Sequence, residues 1–402
     1  DRKWGRPRRH SHSSVALMFI LNLILRSQAE ADTFVRTFNH WEPLRRALAL
    51  EFPDDALLGK GAPAPTRSVI RHLKSSIDHD FGQRLLRIME ADAILRAAHM
   101  NLGANGGTLL EPSRNAILFG DGVVVRPISG HLPNIRGMNL RTGEIQIRRH
   151  DPDASFFMTG SGQRVYGNQF CHLSAFTGHS GEFITFSVRP IWKGVGPTEA
   201  QHAIDMARKV KDEIPGFAAF SWDKAVRSVS IDALWGMRLQ PLVGVYDKTG
   251  KTTENIPLDE HIVNGVKIRT FANRGAVCIA GLDHRPIPLT AEKLSYHPNR
   301  SSTLRCYVRF SIPPGSNCDT RLWGGTLSQR VNTPDGSETI YGEHVRALSP
   351  GSSRWKVLYG NRSLAESVNS RYKARLLPGQ RARSFGQLRQ WLDFIVTMMI
   401  WN

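Results

Sequence analysis

One carboxylate stands alone in a basic stretch near the end of the chain. Glu366 lies within residues 359–373, and every other charged residue between positions 353 and 392 is Lys or Arg. If residues 359–373 form a helix, spacings of four, three and four place four polar side chains on one face: Arg362, Glu366, Asn369 and Lys373. Two interpretations fit this pattern. Glu366 forms an ordinary surface ion pair with Arg362, or it is a metal-binding carboxylate at the floor of a groove for polyphosphate.

Two aspartates upstream occur where strands are expected to bring them together. Asp121 lies inside Gly-Asp-Gly in the apolar run 115–127, which has the pattern of a buried strand. Asp223 directly follows the short apolar strand expected over residues 217–222. In an α/β sheet, neighbouring strand ends bring such residues to one crevice. The alternatives are a turn acid for Asp121, because Asp-Gly is a hairpin signal, and a helix N-cap for Asp223.

Three carboxylates in these positions suit metal-dependent phosphoryl chemistry. Magnesium prefers oxygen ligands and keeps several waters, so two or three carboxylates are enough to bind it. Two ions about 3.5–4 Å apart can activate water or a 3′-hydroxyl and stabilise the leaving oxygen of a phosphodiester. Asp121, Asp223 and Glu366 are therefore candidate ligands for two Mg²⁺ ions, for which Mn²⁺ could substitute.

The composition indicates a globular protein that meets a polyanion. The chain has 402 residues, a net charge of +18 and a pI near 10.2, with 41% hydrophobic residues. Nucleic acid is the first candidate partner for so basic a protein, and an anionic membrane surface is the second. The four cysteines include no CxxC pair and no zinc-finger spacing, which favours buried free thiols in a reducing cytoplasm over a disulfide framework.

Periodic apolar patterns predict the elements that position these acids. Residues 15–100 are expected to be helical: 15–25 form a buried helix, and 66–98 carry the clearest helical spacing. An α/β layer follows, with strands expected at 115–127, 165–176, 182–192, 217–222 and 241–246. Helices are expected in this layer at 198–214 and 226–237. The order predicts an antiparallel start and a parallel continuation.

The chain is expected to divide into four regions. We predict a helical, basic N-terminal region for DNA binding or assembly, the first part of the α/β core, a β-rich insertion, and C-terminal helices of the core. Their boundaries are residues 1–107, 108–247, 248–340 and 341–402. Within the insertion, strands are expected at 266–271, 276–280, 304–312 and 322–331, separated by turns rich in Gly, Pro and Asn.

The C-terminal acid and its neighbours resemble a signature of DDE transposases from bacterial insertion sequences. In one branch of that family the signature is Tyr-x2-Arg-x3-Glu-x6-Lys, and this chain has Tyr359, Arg362, Glu366 and Lys373 at that spacing. The resemblance covers about residues 115–402, and the C-terminal stretch is similar to actinobacterial members. It implies an α/β fold with an RNase H-like catalytic core, a helical N-terminal region and a β-rich insertion.

The two upstream aspartates also resemble the family's catalytic positions. The strand with Asp121-Gly122 resembles the first catalytic Asp, and WDKAVR, which contains Asp223, resembles the second. The resemblance implies that Asp121, Asp223 and Glu366 bind the two magnesium ions and are catalytic. It implies contacts with DNA near the scissile phosphate by four further residues: Tyr359, Arg362, Lys373 and Arg227.

The implied activity is DNA cleavage and strand transfer during transposition. The implied partners are duplex DNA at the element ends and at the target, and a second copy of the chain in a homodimer, with no membrane. The implied location is the bacterial cytoplasm, at the nucleoid. Two positions depart from the pattern: Val123 stands where Thr or Ser is frequent, and Gln169 where Lys is frequent. Two alternatives therefore stay open: a decayed transposase that binds DNA without cutting it, and a general metal-dependent nuclease.

Overall fold

The chain contains both helices and strands, as expected of a mixed α/β protein. A computed structural model describes residues 10–25, 27–37, 40–76, 78–104, 107–158, 162–178, 182–245, 255–298, 304–377 and 381–402. Within these ranges the helices are α1 (His12–Ile24), α2 (Gln28–Thr37), α3 (Trp41–Glu51), α4 (Arg67–Ser76), α5 (His79–His99), α6 (Glu199–Glu213), α7 (Val229–Gly236), α8 (Tyr341–His344), α9 (Ser353–Tyr359), α10 (Arg362–Leu376) and α11 (Gln387–Trp401). The strands are β1 (Ile117–Val125), β2 (Arg136–Met138), β3 (Ile145–Ile147), β4 (Ser155–Met158), β5 (Arg164–Phe176), β6 (Phe183–Ile191), β7 (Ala219–Ser221), β8 (Gln240–Leu242), β9 (Ile256–Val263), β10 (Val266–Asn273), β11 (Ala276–Ala280), β12 (Pro286–Pro288), β13 (Thr290–Pro298), β14 (Leu304–Ser311) and β15 (Thr326–Arg330).

The chain divides into two compact units, each built from separate segments of sequence. Unit 1 consists of the residues up to Ile88 together with Val124–Asn168 and Ser370–Trp401. Unit 2 consists of Met89–Val123, Gln169–Asn369 and Asn402. The predicted acids Asp121, Asp223 and Glu366 all belong to unit 2.

A mixed sheet of six strands contains β1 and β7, the strands that lead to the two predicted aspartates. Five strands lie in the order β4-β5-β1-β7-β8, and β6 also pairs with β5. Strand β6 runs antiparallel to β5, whereas β1, β7 and β8 are paired in parallel. The predicted α/β class, with an antiparallel start and a parallel continuation, is confirmed. Burial explains the apolar runs, because the side chains of Ile117, Leu118 and Phe119 in β1 are fully shielded from solvent.

Helix α6 covers part of this core and has a well-defined start. Thr198 is its N-cap, and its hydroxyl accepts a hydrogen bond from the Gln201 backbone N–H. The Gln201 side chain in turn accepts from the Thr198 N–H, which completes a capping box. The apolar spacing within 198–214 predicts an inner stripe of Ala200, Ala203, Ile204, Ala207 and Val210. All of these residues are buried except Ala200, which is half-buried. The helix therefore presents its first residue, Glu199, at a fixed point beside the sheet.

Unit 1 contains helices α1 to α4 and the first part of α5. The helical pattern over residues 66–98 is divided between α4 and α5, because Asp78 caps a new helix by accepting a hydrogen bond from the Phe81 N–H at 2.7 Å. The run 15–25 falls in α1, as expected. No single helix of the described chain has the length and apolar character to cross a membrane. Segments His12–Ile24 and Ala29–Arg36 are long and apolar enough only when taken as a pair, and the chain bends by 118° between them.

The predicted β-rich insertion forms two small antiparallel sheets, β12-β11-β10-β9 and β13-β14-β15. The four strands expected there are found, although the one predicted over 322–331 begins only at Thr326. A 3-10 turn over Thr320–Leu322 and two glycines precede it. Three strands have no counterpart in the prediction: β9, β12 and β13. All four cysteines are buried and free, as expected.

The helix predicted over residues 359–373 is two helices, so that prediction is wrong at its start. Tyr359 ends α9, and α10 begins at Arg362. The intervening Asn361 turns the chain: its side-chain amide donates to the Leu358 carbonyl at 2.9 Å. Its amide oxygen accepts from Arg114 Nε at 3.0 Å. Arg362, Glu366, Asn369 and Lys373 do share α10, but Tyr359 belongs to the preceding helix.

Candidate metal and phosphoryl-transfer site

Strand pairing brings the two predicted aspartates to the same edge of the sheet. In the parallel pair of β1 and β7, Phe119 lies opposite Ser221. Asp121 and Asp223 each follow two residues later, so they leave the paired region side by side. Asp121 is still within β1, which excludes the hairpin-turn alternative. Asp223 lies in the turn after β7 and accepts a hydrogen bond from the Ala225 N–H at 2.8 Å.

The two glycines that flank Asp121 make room for the side chains around it. A Cβ atom on Gly120 would lie 2.1 Å from the Trp222 ring and 2.2 Å from the His172 carbonyl oxygen. A Cβ atom on Gly122 would lie 2.6 Å from Glu199 Oε2. Real Cβ atoms do not approach so closely, so the Gly-Asp-Gly sequence permits this close packing. The gap beside Gly122 is occupied by a third carboxylate.

That third carboxylate is Glu199, which sequence reasoning missed. Two neutral donors hold it: Trp222 Nε1 donates to Oε1 at 3.1 Å, and Gln169 Nε2 donates to Oε2 at 2.9 Å. Gln169, one of the two departures from the transposase pattern, therefore has a direct role in orienting the acid. The other departure, Val123, is buried at 2% exposure. The one signal in the sequence that could have pointed to Glu199 is Gly122, the glycine directly after Asp121.

Asp121, Glu199 and Asp223 form a cluster of carboxylates. One oxygen from each lies within 4.8 Å of the others, and all three residues are half-buried. Burial, followed by the charge of Asp223, raises the pKa of Glu199 to about 7, although the hydrogen bond from Trp222 lowers it. Burial also raises the pKa of Asp121 to about 6, again with a contribution from Asp223. The cluster thus concentrates negative charge that a cation would stabilise.

Asn369 connects α10 to this cluster. Its Nδ2 donates to Asp121 Oδ2 at 3.1 Å. The neighbouring His172 is fully buried, and burial lowers its pKa to about 4, so it is neutral at pH 7. A neutral imidazole adds no positive charge beside the carboxylates. Asn369 was placed on the polar face of this helix by its spacing, but its role in holding Asp121 is a finding of the structure.

Glu366 lies near the cluster but outside it. Its side chain is 62% exposed and forms an i,i+4 ion pair with Arg362, at 3.5 Å between Oε1 and Nη1. This is the ordinary surface pair that the sequence allowed as an alternative. The negative charge of Glu366 still contributes to the raised pKa of Asp121, and the positive charge of Arg362 opposes it. A role for Glu366 as a metal ligand stays a prediction.

Two of the four residues predicted to contact DNA, Tyr359 and Arg362, interact with the acids of the cluster. The Tyr359 ring stacks on Trp355 at a centroid distance of 4.2 Å. Burial raises the pKa of Tyr359, and the charges of Arg362, Asp223 and Asp121 all act on its hydroxyl. Tyr359 and Arg362 therefore lie at the cluster.

The other two predicted DNA contacts lie on a connecting segment and further along α10. Arg227 is exposed in the segment between β7 and α7. Lys373 is half-buried further along α10, among residues of unit 1. Contact with DNA by either side chain stays a prediction.

The chemistry of the cluster fits a hard divalent cation. The donors are carboxylate oxygens, with neither sulfur nor imidazole among them, and oxygen donors are those that Mg²⁺ and Mn²⁺ prefer. Each acid is oriented by a donor from a neighbouring residue, as metal ligands commonly are. Asp121, Glu199 and Asp223 are therefore the residues that could hold such an ion.

No protein-family model matches the sequence. No curated protein is significantly similar to it either. The interpretation of function therefore depends on the carboxylate cluster, on the elements that hold it and on the charge of the chain.

Proposed function

We propose that this protein is a DDE-type transposase that cleaves DNA and joins the released end to a target. Its substrate is duplex DNA at the ends of a mobile element, and the reaction uses two magnesium ions. A homodimer would bring two ends together. The proposed location is the bacterial cytoplasm, at the nucleoid.

The convergence of Asp121, Glu199 and Asp223 carries this proposal. Three half-buried carboxylates lie within 4.8 Å of one another in a chain of net charge +18. So much negative charge at one point is costly unless it binds a cation. The surrounding positive charge attracts a polyanion to the same protein, so the metal site and a nucleic-acid substrate belong together.

The order of the strands supports an RNase H-like core. In that proposal β1, β5 and β6 are its first three strands, and β7 and β8 are its fourth and fifth. The antiparallel pairing of β5 with β6, and the parallel pairing of β1, β7 and β8, agree with it. The two small sheets from β9 to β15 lie in sequence between Asp223 and Glu366, where the resemblance implies an insertion.

Each residue of the site has a distinct task in the proposed reaction. Asp121, Glu199 and Asp223 hold the ions, and Asn369 fixes the orientation of Asp121. Magnesium bound there would lower the pKa of water and stabilise a leaving oxygen. Water attacks the phosphorus at the element end, and the bond from phosphorus to the 3′ oxygen breaks. The released 3′-hydroxyl then attacks a target phosphodiester, whose own 3′ oxygen leaves.

Tyr359 and Arg362 are proposed to position the DNA strand. A guanidinium group suits two-point contact with a phosphate, and the Tyr359 hydroxyl can donate to a phosphate oxygen. Glu366 is proposed to release Arg362 when DNA binds and to complete the metal site. This step requires the pair at 3.5 Å on α10 to separate, at a cost of less than about 1 kcal/mol, because the Glu366 carboxylate is largely in solvent.

A metal-dependent nuclease is the second candidate, and one observation favours it. The carboxylate cluster is complete with Glu199 and does not include Glu366. Such a site would cut DNA without needing the Tyr-Arg-Glu-Lys signature. Glu366 is therefore required if the protein is a transposase and dispensable if it is a nuclease.

A strand-transfer assay tests the proposal. Labelled duplexes from the DNA that flanks the gene are incubated with supercoiled plasmid, protein and Mg²⁺, and both cleavage and joining are measured. We expect Asp223→Asn to abolish both reactions and Asp205→Asn, a matched exposed acid on α6, to leave both intact. Cleavage without joining, unaffected by Glu366→Gln, would favour the nuclease. DNA binding without cleavage at any Mg²⁺ or Mn²⁺ concentration would show a decayed enzyme.

A further inference from the structure

A two-stranded, solvent-exposed ribbon belongs to unit 1 and is not needed for the proposed chemistry. The ribbon comprises residues 128–150, with β2 and β3 paired so that Arg136 lies opposite Ile147 and Met138 opposite Ile145. Its tip is a tight turn in which the Gly143 N–H donates to the Asn139 carbonyl at 2.7 Å. Gly143 adopts a φ of +73°, which glycine tolerates.

The ribbon exposes apolar side chains that a protein in water normally covers. Met138, Ile145 and Ile147 lie on one face of the ribbon and are 58%, 72% and 54% exposed. Leu140, at the tip, is 95% exposed. A two-stranded ribbon with both faces in solvent is marginally stable by itself, and a contiguous exposed apolar surface marks an interaction site.

The same ribbon is strongly basic. All four of its arginines are exposed: Arg136, Arg141, Arg148 and Arg149. Its one acid is Glu144, and across the described chain none of these four guanidinium groups lies within ion-pair distance of a carboxylate. Arg148 lies flat over Gly137, where a Cβ atom would come within 2.0 Å of its Nε. The guanidinium groups are therefore free to meet an anion.

The base of the ribbon is held firmly while its tip is free. The Ser129 hydroxyl donates to the Arg149 carbonyl at 2.6 Å, which ties the two ends of the ribbon together. The Arg149 guanidinium stacks on the Phe385 ring at 3.8 Å. Beside this, Arg381 donates to the Pro127 carbonyl at 3.3 Å. A fixed base orients the exposed tip for binding without a large loss of entropy.

We propose that the ribbon is an arm that enters a groove of duplex DNA. Arg136, Arg141 and Arg148 bind phosphates on either side, and Leu140 at the tip contacts the base edges or wedges between them. A two-stranded ribbon fits a DNA groove, and apolar wedges flanked by arginines are suited to the minor groove. The choice of DNA as the partner rests on the proposed function.

Charge favours DNA over a second copy of the chain as the occupant. A second copy also carries a net charge of +18. An arginine-rich ribbon is therefore repelled by the ribbon of that copy and by any other basic surface on it. DNA carries one negative charge for about every 1.7 Å of helix axis and gains from each arginine contact through release of counterions.

The test measures the salt dependence of DNA binding by the full-length chain. Fluorescence anisotropy of a labelled duplex of arbitrary sequence is recorded in EDTA, so that no cleavage occurs. The triple variant Arg136→Gln/Arg141→Gln/Arg148→Gln should reduce the slope of log K against log salt by about 2.7, or about 0.9 for each phosphate contact. Between about 50 and 200 mM salt, the unaltered protein should thus lose about 40-fold more affinity than the variant.

The matched control removes three exposed arginines that already have acidic partners. Arg269, Arg285 and Arg321 pair with Glu260, Asp283 and Asp319 respectively. Changing all three to Gln alters the net charge equally but should leave the slope within about one unit of the unaltered value. Equal changes in slope for the two triple variants would overturn the proposal, because the effect would then come from total charge and not from the ribbon.

A separate pair of measurements tests the tip and the competing occupant. Leu140→Ala should reduce DNA affinity by about 5-fold or more without changing the salt slope, because it removes an apolar contact. Ile145→Ser/Ile147→Ser is examined by sedimentation velocity without DNA. Conversion of a dimer to a monomer with DNA affinity unchanged would show that the ribbon binds a second copy, and would overturn the DNA arm.

The outcomes for the arm and for the enzyme can be distinguished. If ribbon-dependent binding is present but no cleavage or joining occurs, only the proposed function fails. If cleavage and joining occur while the ribbon variants bind DNA as the unaltered protein does, only the arm fails.

Discussion

Replacing Glu199 by Gln should make the metal-free protein more stable at about pH 8 and less stable at about pH 4. Glu199 is half-buried beside Asp121 and Asp223, and burial followed by the charge of Asp223 raises its pKa from 4.5 to about 7. Glutamine has nearly the same shape but no charge. The substitution therefore removes an electrostatic cost that exists only when the carboxylate is ionised.

The pH dependence follows from the direction of the shift. Below pH 4.5 the acid is protonated in the folded and unfolded states, so its charge costs nothing. As the pH rises from 4.5 to about 7, the unfolded chain releases its proton while the folded chain keeps it, and stability falls. Above that range the penalty is constant. At about 1.4 kcal/mol for each pH unit, it reaches about 3 kcal/mol.

The hydrogen bonds that Glu199 accepts reduce the stability gained by replacing it with glutamine. Trp222 and Gln169 donate to different oxygens of Glu199, but glutamine offers one acceptor oxygen. One donor loses its partner, at a cost of about 1 kcal/mol. We therefore expect Glu199→Gln to be about 2 kcal/mol more stable than the unaltered protein above pH 7, and about 1 kcal/mol less stable below pH 4.5, with equal stability near about pH 5.

Urea unfolding in EDTA, followed by tryptophan fluorescence across this pH range, measures the difference. Glu213→Gln is the matched control, because it makes the same chemical change at the exposed far end of α6. The reasoning is refuted if Glu199→Gln is no more stable than the unaltered protein at pH 8, or if both variants show the same pH dependence. Added Mg²⁺ should raise the melting temperature of the unaltered protein but not that of Glu199→Gln.

Three further predictions concern the packing around the cluster and the cysteines. Gly122→Ala should weaken Mg²⁺ binding about 10-fold or more, because the new Cβ displaces the Glu199 carboxylate. Calorimetry measures this affinity. Gly236→Ala is the control and should bind Mg²⁺ normally, because its new Cβ meets no atom within 4 Å. Asn369→Ala should slow cleavage by about 10- to 100-fold and leave DNA affinity unchanged, because it removes the hydrogen-bond donor to Asp121. An unaltered cleavage rate would show that Asn369 does not orient Asp121 for the reaction. Finally, a thiol reagent should label no cysteine until the protein is unfolded, and rapid labelling under native conditions would be inconsistent with the burial of Cys171, Cys278, Cys306 and Cys318.

The sheet and two of the clustered acids could be predicted from the sequence because local patterns encode them. Strand β1 is an apolar run apart from its Gly-Asp-Gly, and such runs are typical of strands buried on both faces. Asp121 interrupts one such run and Asp223 ends another, so parallel pairing was enough to bring them together.

The third acid could not be identified in this way. Glu199 occupies the first position of α6 after a threonine cap, where an acid is favourable for the helix dipole at any surface helix. Only tertiary packing distinguishes it from such an acid, through the gap at Gly122. Similarly, Gly360 and Asn361 end α9, but the contact that stabilises this break comes from Arg114, far away in sequence.

The ribbon escaped prediction for a different reason. Its paired segments, β2 and β3, are three residues each, too short to show a clear period of two. Their apolar residues are exposed, so the usual association of apolar residues with a core gives no guidance.

The close approach of Gly122 and Glu199 has a consequence for how this protein can change during evolution. A Cβ atom at position 122 fits only if the carboxylate at 199 moves away from it or the side chain at 199 becomes shorter. A homologue with alanine at 122 that keeps a carboxylate in the cluster should therefore favour the shorter aspartate at 199. Residues 122 and 199 should therefore covary among homologues, although they lie 77 positions apart in the chain.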